Sequence, residues 1–172
     1  GQMLCEVFDH WLLNDRGRIE VTLFDAVVRG ILAAQIRKRE PDDGITIGFA
    51  VLSDGRVRIQ DDYMIASDWF GKQRELFMKS SEFADYIGQP HLKEIVKETI
   101  YAPKECESCP YVHSCAGGEV THRYTRDRGF NNKSVYCVAL KMLYEHVDMR
   151  LNSGRDELIA QAASESQALV LS

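Results

Sequence analysis

Cys106, Cys109, Cys115 and Cys137 stand in the spacing Cys-x2-Cys-x5-Cys-x21-Cys, around the run Cys106-Glu-Ser-Cys109-Pro-Tyr-Val-His-Ser-Cys115-Ala-Gly-Gly. They are four of the chain's five cysteines. Two cysteines separated by two residues direct both sulfurs at one centre from a tight turn. A third and a fourth complete the thiolate set that a tetrahedral zinc or a four-iron, four-sulfur cluster requires. Small buried apolar residues would be the plain alternative, but Pro110, Gly117, Gly118 and Gly129 punctuate the segment and indicate loops bent closely around something. Cys5 lies far from the array, near a helix's apolar stripe, and is read as a buried structural thiol rather than a ligand.

A [4Fe–4S]²⁺ core on four thiolates carries a net charge of −2. His122, Arg123, Arg126, Arg128 and Lys133 are placed to offset it, or else form a solvated basic loop. His113, between two ligands, either hydrogen-bonds the centre or packs for shape. Glu119 reads as a surface or capping residue, and Asp61-Asp62 as a solvated strand end, because neighbouring strand residues face opposite ways. The sequence has no Gly-x-Ser-x-Gly elbow, no Gly-x4-Gly-Lys-Ser/Thr loop and no His-Glu-x2-His pair.

The elements that must hold these residues follow from periodicity. Leu4, Val7, Phe8, Trp11 and Leu12 trace a helical stripe over 3–14; Phe24, Val27, Val28, Ile31 and Leu32 trace a second over 22–38, with Thr22 as its N-cap. Ile45, Ile47, Phe49 and Val51 alternate, and Val57 and Ile59 continue past Asp54-Gly55, which predicts a hairpin over 46–60. Helices are expected over 80–87, closed by Gly88, and over 90–100, opened by Pro90. Cys137 opens a further helix that ends near Asn152-Ser153-Gly154, with a last helix or tail beyond. The fold class is therefore α+β: a small β-hairpin and irregular Cys-rich metal-binding loops flanked by several α-helices. The expected domains are a helical packing segment (1–40), the hairpin and cysteine domain (41–150) and a C-terminal helix or tail (151–172).

With 172 residues and 45% apolar content, the chain can bury one sizeable core with a small satellite module. A formal charge of 21 − 26 = −5 provides no basic field for nucleic acid, and none is expected as a partner. No stretch approaches the roughly 18 apolar residues of a membrane span, and no secretory signal pattern is present. An odd, clustered cysteine count speaks for a reducing compartment, so a soluble cytoplasmic protein is expected.

Cys106-x2-Cys109-x5-Cys115-Ala-Gly-Gly, followed by Arg123-Tyr124, Asn131 and Tyr136-Cys137, resembles the SPASM domain, the auxiliary iron–sulfur domain of radical S-adenosylmethionine enzymes that modify peptides and proteins. The resemblance spans about 45–147; the Leu4–Leu32 helices are similar to the linker that follows the catalytic barrel in peptide maturases. That family carries seven cysteines for two clusters. Here the cysteine expected at 39–45 is missing, the Gly-x4 position counted from Gly55 is Gln60, and the x3 position after Cys115 is Glu119. Those three positions serve the family's first auxiliary cluster, whereas Cys106, Cys109, Cys115 and Cys137 match the four ligands of the second.

The resemblance thus implies one closed [4Fe–4S] cluster, with no open iron for substrate, in an electron-transfer, structural and docking role. Its partners would be a radical SAM barrel, in the same longer chain or a separate subunit, and a peptide or protein substrate. No Cys-x3-Cys-x2-Cys loop is present, so this chain alone should hold no S-adenosylmethionine and generate no radical. The alternative is a protein-binding scaffold in which the same thiolates hold Zn²⁺ without redox activity.

Overall fold

The computed structural model describes residues 1–36, 48–59, 68, 71 and 74–170, with side chains described as far as 154. In chain order the described elements are α1 (Gln2–His10), continued by a π-helical turn (Trp11–Asp15), α2 (Thr22–Ile36), β1 (Phe49–Val51), β2 (Arg56–Ile59) and β3 (Leu76–Phe77). Then come α3 (Phe83–Ile87), α4 (Pro90–Ile100), a 3₁₀ turn (Lys104–Cys106), α5 (Val112–Cys115), a second 3₁₀ turn (Val120–Arg123) and α6 (Cys137–Val170). This is the α+β class expected from the sequence. Two compact units divide the chain: Gly1–Ile36 with Val138–Ser172, and Arg37–Cys137.

The first unit is built on the apolar stripes of three helices. Phe8 and Trp11, Phe24, Val27, Val28 and Ile31, and Leu143 and Val147 are all buried. The Phe24 ring stands edge-on to Phe8 with centroids 5.4 Å apart. Trp11 satisfies its indole by donating Nε1–H to the Ile19 carbonyl at 2.7 Å. The periodicity predicts a plain helix through 14; the chain instead widens to a π turn at Trp11–Asp15, and it leaves Val7 exposed. On the far side, Asp9 hydrogen-bonds to His146 at 2.9 Å and forms an ion pair with Arg150 at 3.1 Å, tying α1 to α6. The expected stop near Asn152-Ser153-Gly154 does not occur, because α6 runs unbroken to Val170. One glycine costs a helix only about 1 kcal/mol relative to alanine, too little to end it within a run of helix formers.

In the second unit β1 and β2 pair antiparallel in the register Phe49↔Ile59 and Val51↔Val57. Gly55 takes φ +83°, its N–H bonds to Leu52 O at 2.9 Å, and Leu52 N–H bonds to Arg56 O at 2.8 Å. This is a three-residue loop with a glycine bulge. Ile45 and Ile47, and the ends of the expected 46–60 hairpin, lie outside the described residues. β3 pairs with the other edge of β2, giving the order β1-β2-β3; two residues are too short to leave an alternation readable in sequence. One face of the sheet buries Val57 with Leu76 and Tyr86. It also buries Ile59 with Leu92, Ile95, Val120 and Phe130, which carries α4 and the cysteine segment onto the same core.

α4 begins at Pro90, as expected. α3 begins at Phe83, later than Ser80, because Glu82 and Asp85 form its capping box while Ser81 accepts the Phe77 N–H. Among the described residues no helix is long and apolar enough to cross a membrane.

Candidate metal centre

α4 ends at Ile100, capped by the extended Tyr101, and Pro103 then accepts the Cys106 N–H at 2.8 Å, closing the 3₁₀ turn that delivers the first cysteine. The Cys106 carbonyl accepts the Cys109 N–H at 2.9 Å, so the first pair is set by one tight turn. Cys115 ends the single turn of α5, its N–H bonded to Tyr111 O at 2.8 Å. The chain then takes three successive left-handed conformations, Ala116 at φ +50°, Gly117 at +86° and Gly118 at +81°. This reversal bonds the Gly118 N–H to the Cys115 carbonyl at 2.9 Å and brings the Gly117 and Gly118 amides close enough to the thiol to oppose the rise of its pKa. Such a pair of amides favours the thiolate form. Cys137 opens α6 with its N–H on Ser134 O at 2.9 Å, and Ser134 N–H bonds to Gly117 O at 3.0 Å.

All four cysteines are free thiols. Burial pushes the Cys106 thiol up, charge on Cys137 and Cys109 pushes it further, and Arg123 opposes them. Burial likewise raises Cys115 against the Gly117 and Gly118 amides, with Cys106 and Cys109 adding to the rise. Cys106 is thus charge-coupled to Cys137 and Cys109, and Cys115 to Cys106 and Cys109. Cys5 sits in the other unit, with its sulfur 3.7 Å from the Met142 carbonyl, and burial raises its thiol.

Arg123 is the hub of this region, at 1% exposure. Its guanidinium donates to three carbonyls: Glu98 at 2.6 Å, Phe130 at 3.1 Å and Ala116 at 3.2 Å. The Glu98 carboxylate adds an ion pair at 3.5 Å. Burial lowers the Arg123 pKa, opposed by Glu98, Cys106, Glu119 and Cys115.

The other basic residues have different surroundings. Arg128 pairs with Glu105, holding that carboxyl below the usual range. Arg126 reaches Asp68 at 2.9 Å, and the His122 ring stands edge-on to Tyr136 at 5.0 Å. His113 and Glu119 are exposed, and Glu119 caps the 120–123 turn through its carbonyl, which accepts the His122 N–H. Gln60, Asp61 and Asp62 lie outside the described residues.

Sequence reasoning singled out Asn131, which is exposed, and missed its neighbour. Asn132 is buried, and its amide nitrogen donates to Arg123 O at 2.9 Å, Gly129 O at 3.0 Å and Thr125 Oγ1 at 3.1 Å. Adjacent asparagines look alike in sequence; burial alone separates them.

Among the described residues, no group of three or more His, Cys, Asp or Glu side chains is drawn together as a site for a single metal ion. A cubane places each of its four thiolates on a different iron, and the fit to such a group rests on donor chemistry: four free thiols in one unit, two amides close to Cys115, and a buried guanidinium charge-coupled to Cys106 and Cys115. No family model matches the chain, and no solved structure matches it.

Proposed function

We propose that Cys106, Cys109, Cys115 and Cys137 hold one [4Fe–4S] cluster, and that the chain is an auxiliary electron-transfer or structural and docking module of a radical SAM peptide-maturation system in the reducing cytoplasm. The observation that carries this reading is that all four cysteines of the motif are free and lie in one unit, with the buried Arg123 guanidinium charge-coupled to Cys106 and Cys115. The resemblance of the cysteine motif to the SPASM domain supports iron over zinc. When bound, such a cluster supplies one-electron transfer at a potential set by nearby charge and by hydrogen bonds to sulfur. The Gly117 and Gly118 amides and the Arg123 guanidinium are the groups placed to set it. A centre closed by four thiolates leaves substrate to dock on protein surface.

Anaerobic purification tests the proposal. A brown protein with about four irons and four sulfides per chain, absorbing broadly at about 400 nm and bleached by dithionite, is expected. A colourless protein with about one zinc would replace this reading with the zinc scaffold held by the same four thiolates.

A further inference from the structure

Between α3, α4 and β1 lies an open cavity of about 700 Å³. Its apolar lining includes Phe49, Ile87, Val96 and Ile100, with Phe83 and Tyr101 left 69% and 62% exposed. So many uncovered apolar side chains on one surface mark an interaction site. Among the described residues that line this cavity the charges are of one sign, Lys93 and Lys97, exposed and one helical turn apart on α4, with no carboxylate beside them. Beside it runs β1, which has no second neighbouring strand among the described residues. Because Leu52 bonds to Arg56, the antiparallel alternation points the N–H and C=O of Phe49 and Val51 away from β2, toward that open edge.

We propose that this groove binds an extended acidic peptide segment, whose apolar side chains enter the cavity while its carboxylates meet Lys93 and Lys97. The edge of β1, unpaired among the described residues, supplies main-chain hydrogen bonds and the cavity reads alternate side chains, the division of labour in strand addition. An acyl chain fits less well, since it would need an enclosed tunnel and Phe83 and Tyr101 stand open to solvent. The inference rests on the docking role proposed above and not on the identity of the bound metal.

The test uses the full chain, purified anaerobically, and a fluorescein-labelled peptide of about twelve residues in which Leu or Phe alternates with Glu. A control peptide carries Lys in place of Glu. Fluorescence anisotropy should show the Glu peptide binding at least about tenfold tighter than the control, and weakening as salt is raised. Lys93→Glu with Lys97→Glu should reverse that preference. Phe83→Ser, at an exposed position that leaves the core intact, should weaken the Glu peptide by about tenfold.

Equal binding of the two peptides, or affinity unchanged in both variants, overturns the proposal. So does sedimentation showing that the free chain dimerises through Phe83, or dodecanoate binding where the peptide does not. Iron is quantified in every sample: peptide binding without iron sinks the cluster and spares the groove, and iron without peptide binding does the reverse.

Discussion

Arg123 donates Nη1–H to the carbonyl of Ala116 across 3.2 Å, so a buried guanidinium fixes the left-handed residue immediately after a candidate ligand. The same side chain holds Glu98 at the end of α4 and Phe130 in the following loop. Arg123→Met should cost about 3–5 kcal/mol, because it leaves the Glu98 carboxylate and buried carbonyls without their partner. Arg123→Lys keeps the charge without the planar fork, and should recover only part of that loss. Urea denaturation curves measure both, and unchanged midpoints would refute the hub.

Gly117 and Gly55 share a positive φ, +86° and +83°, in different surroundings. A Cβ on Gly117 would lie 2.5 Å from Pro103 Cδ, whereas one on Gly55 meets nothing within 4 Å. Gly55→Ala should therefore cost only the left-handed penalty of about 1–2 kcal/mol. Gly117→Ala adds overpacking of about 1–3 kcal/mol and should displace the amides from Cys115. Thermal melts of the two variants compare these costs directly.

Cys109→Ser should sharply reduce iron content, while Cys5→Ser, in the other unit, should leave it unchanged. Equal loss in both variants would move Cys5 into the ligand set.

Glu75 receives hydrogen bonds from Arg56 at 2.9 Å and Arg58 at 3.2 Å, and the Arg56 bond first of all holds its carboxyl below the ordinary value of 4.5. The unfolded chain lacks those partners and binds the proton at higher pH. The bridge therefore contributes stability above about pH 4.5, and loses it as pH falls through the depressed folded value. The difference in Tm between the native chain and Arg56→Met should be small at pH 7, as for most exposed pairs, and should vanish toward pH 3. A difference that grows in acid would contradict the assignment.

Much of the fold was legible wherever a stripe or turn signal was strong. Phe8, Trp11, Phe24 and Val27 announced the helical core, and Asp54-Gly55 announced the hairpin. What stayed hidden depended on tertiary context. β3 exists because β2 has a second edge to satisfy, and α6 passes Gly154 because a local breaker signal was outweighed. At the candidate site, the spacing of the cysteines proposes a ligand set, yet it could not distinguish Arg123 from four other basic residues or Asn132 from Asn131. Those distinctions are made by burial and by which carbonyls lie within reach.

The three carbonyls gathered by Arg123 belong to a helix end, the turn after Cys115 and a distal loop, and none of those bonds requires an inorganic partner. On the proposed reading, much of the entropy of ordering the loops around the cluster is thus met by the polypeptide before iron and sulfide arrive. Such a protein should be emptied by chelation and refilled without refolding, like a mould that outlasts each casting.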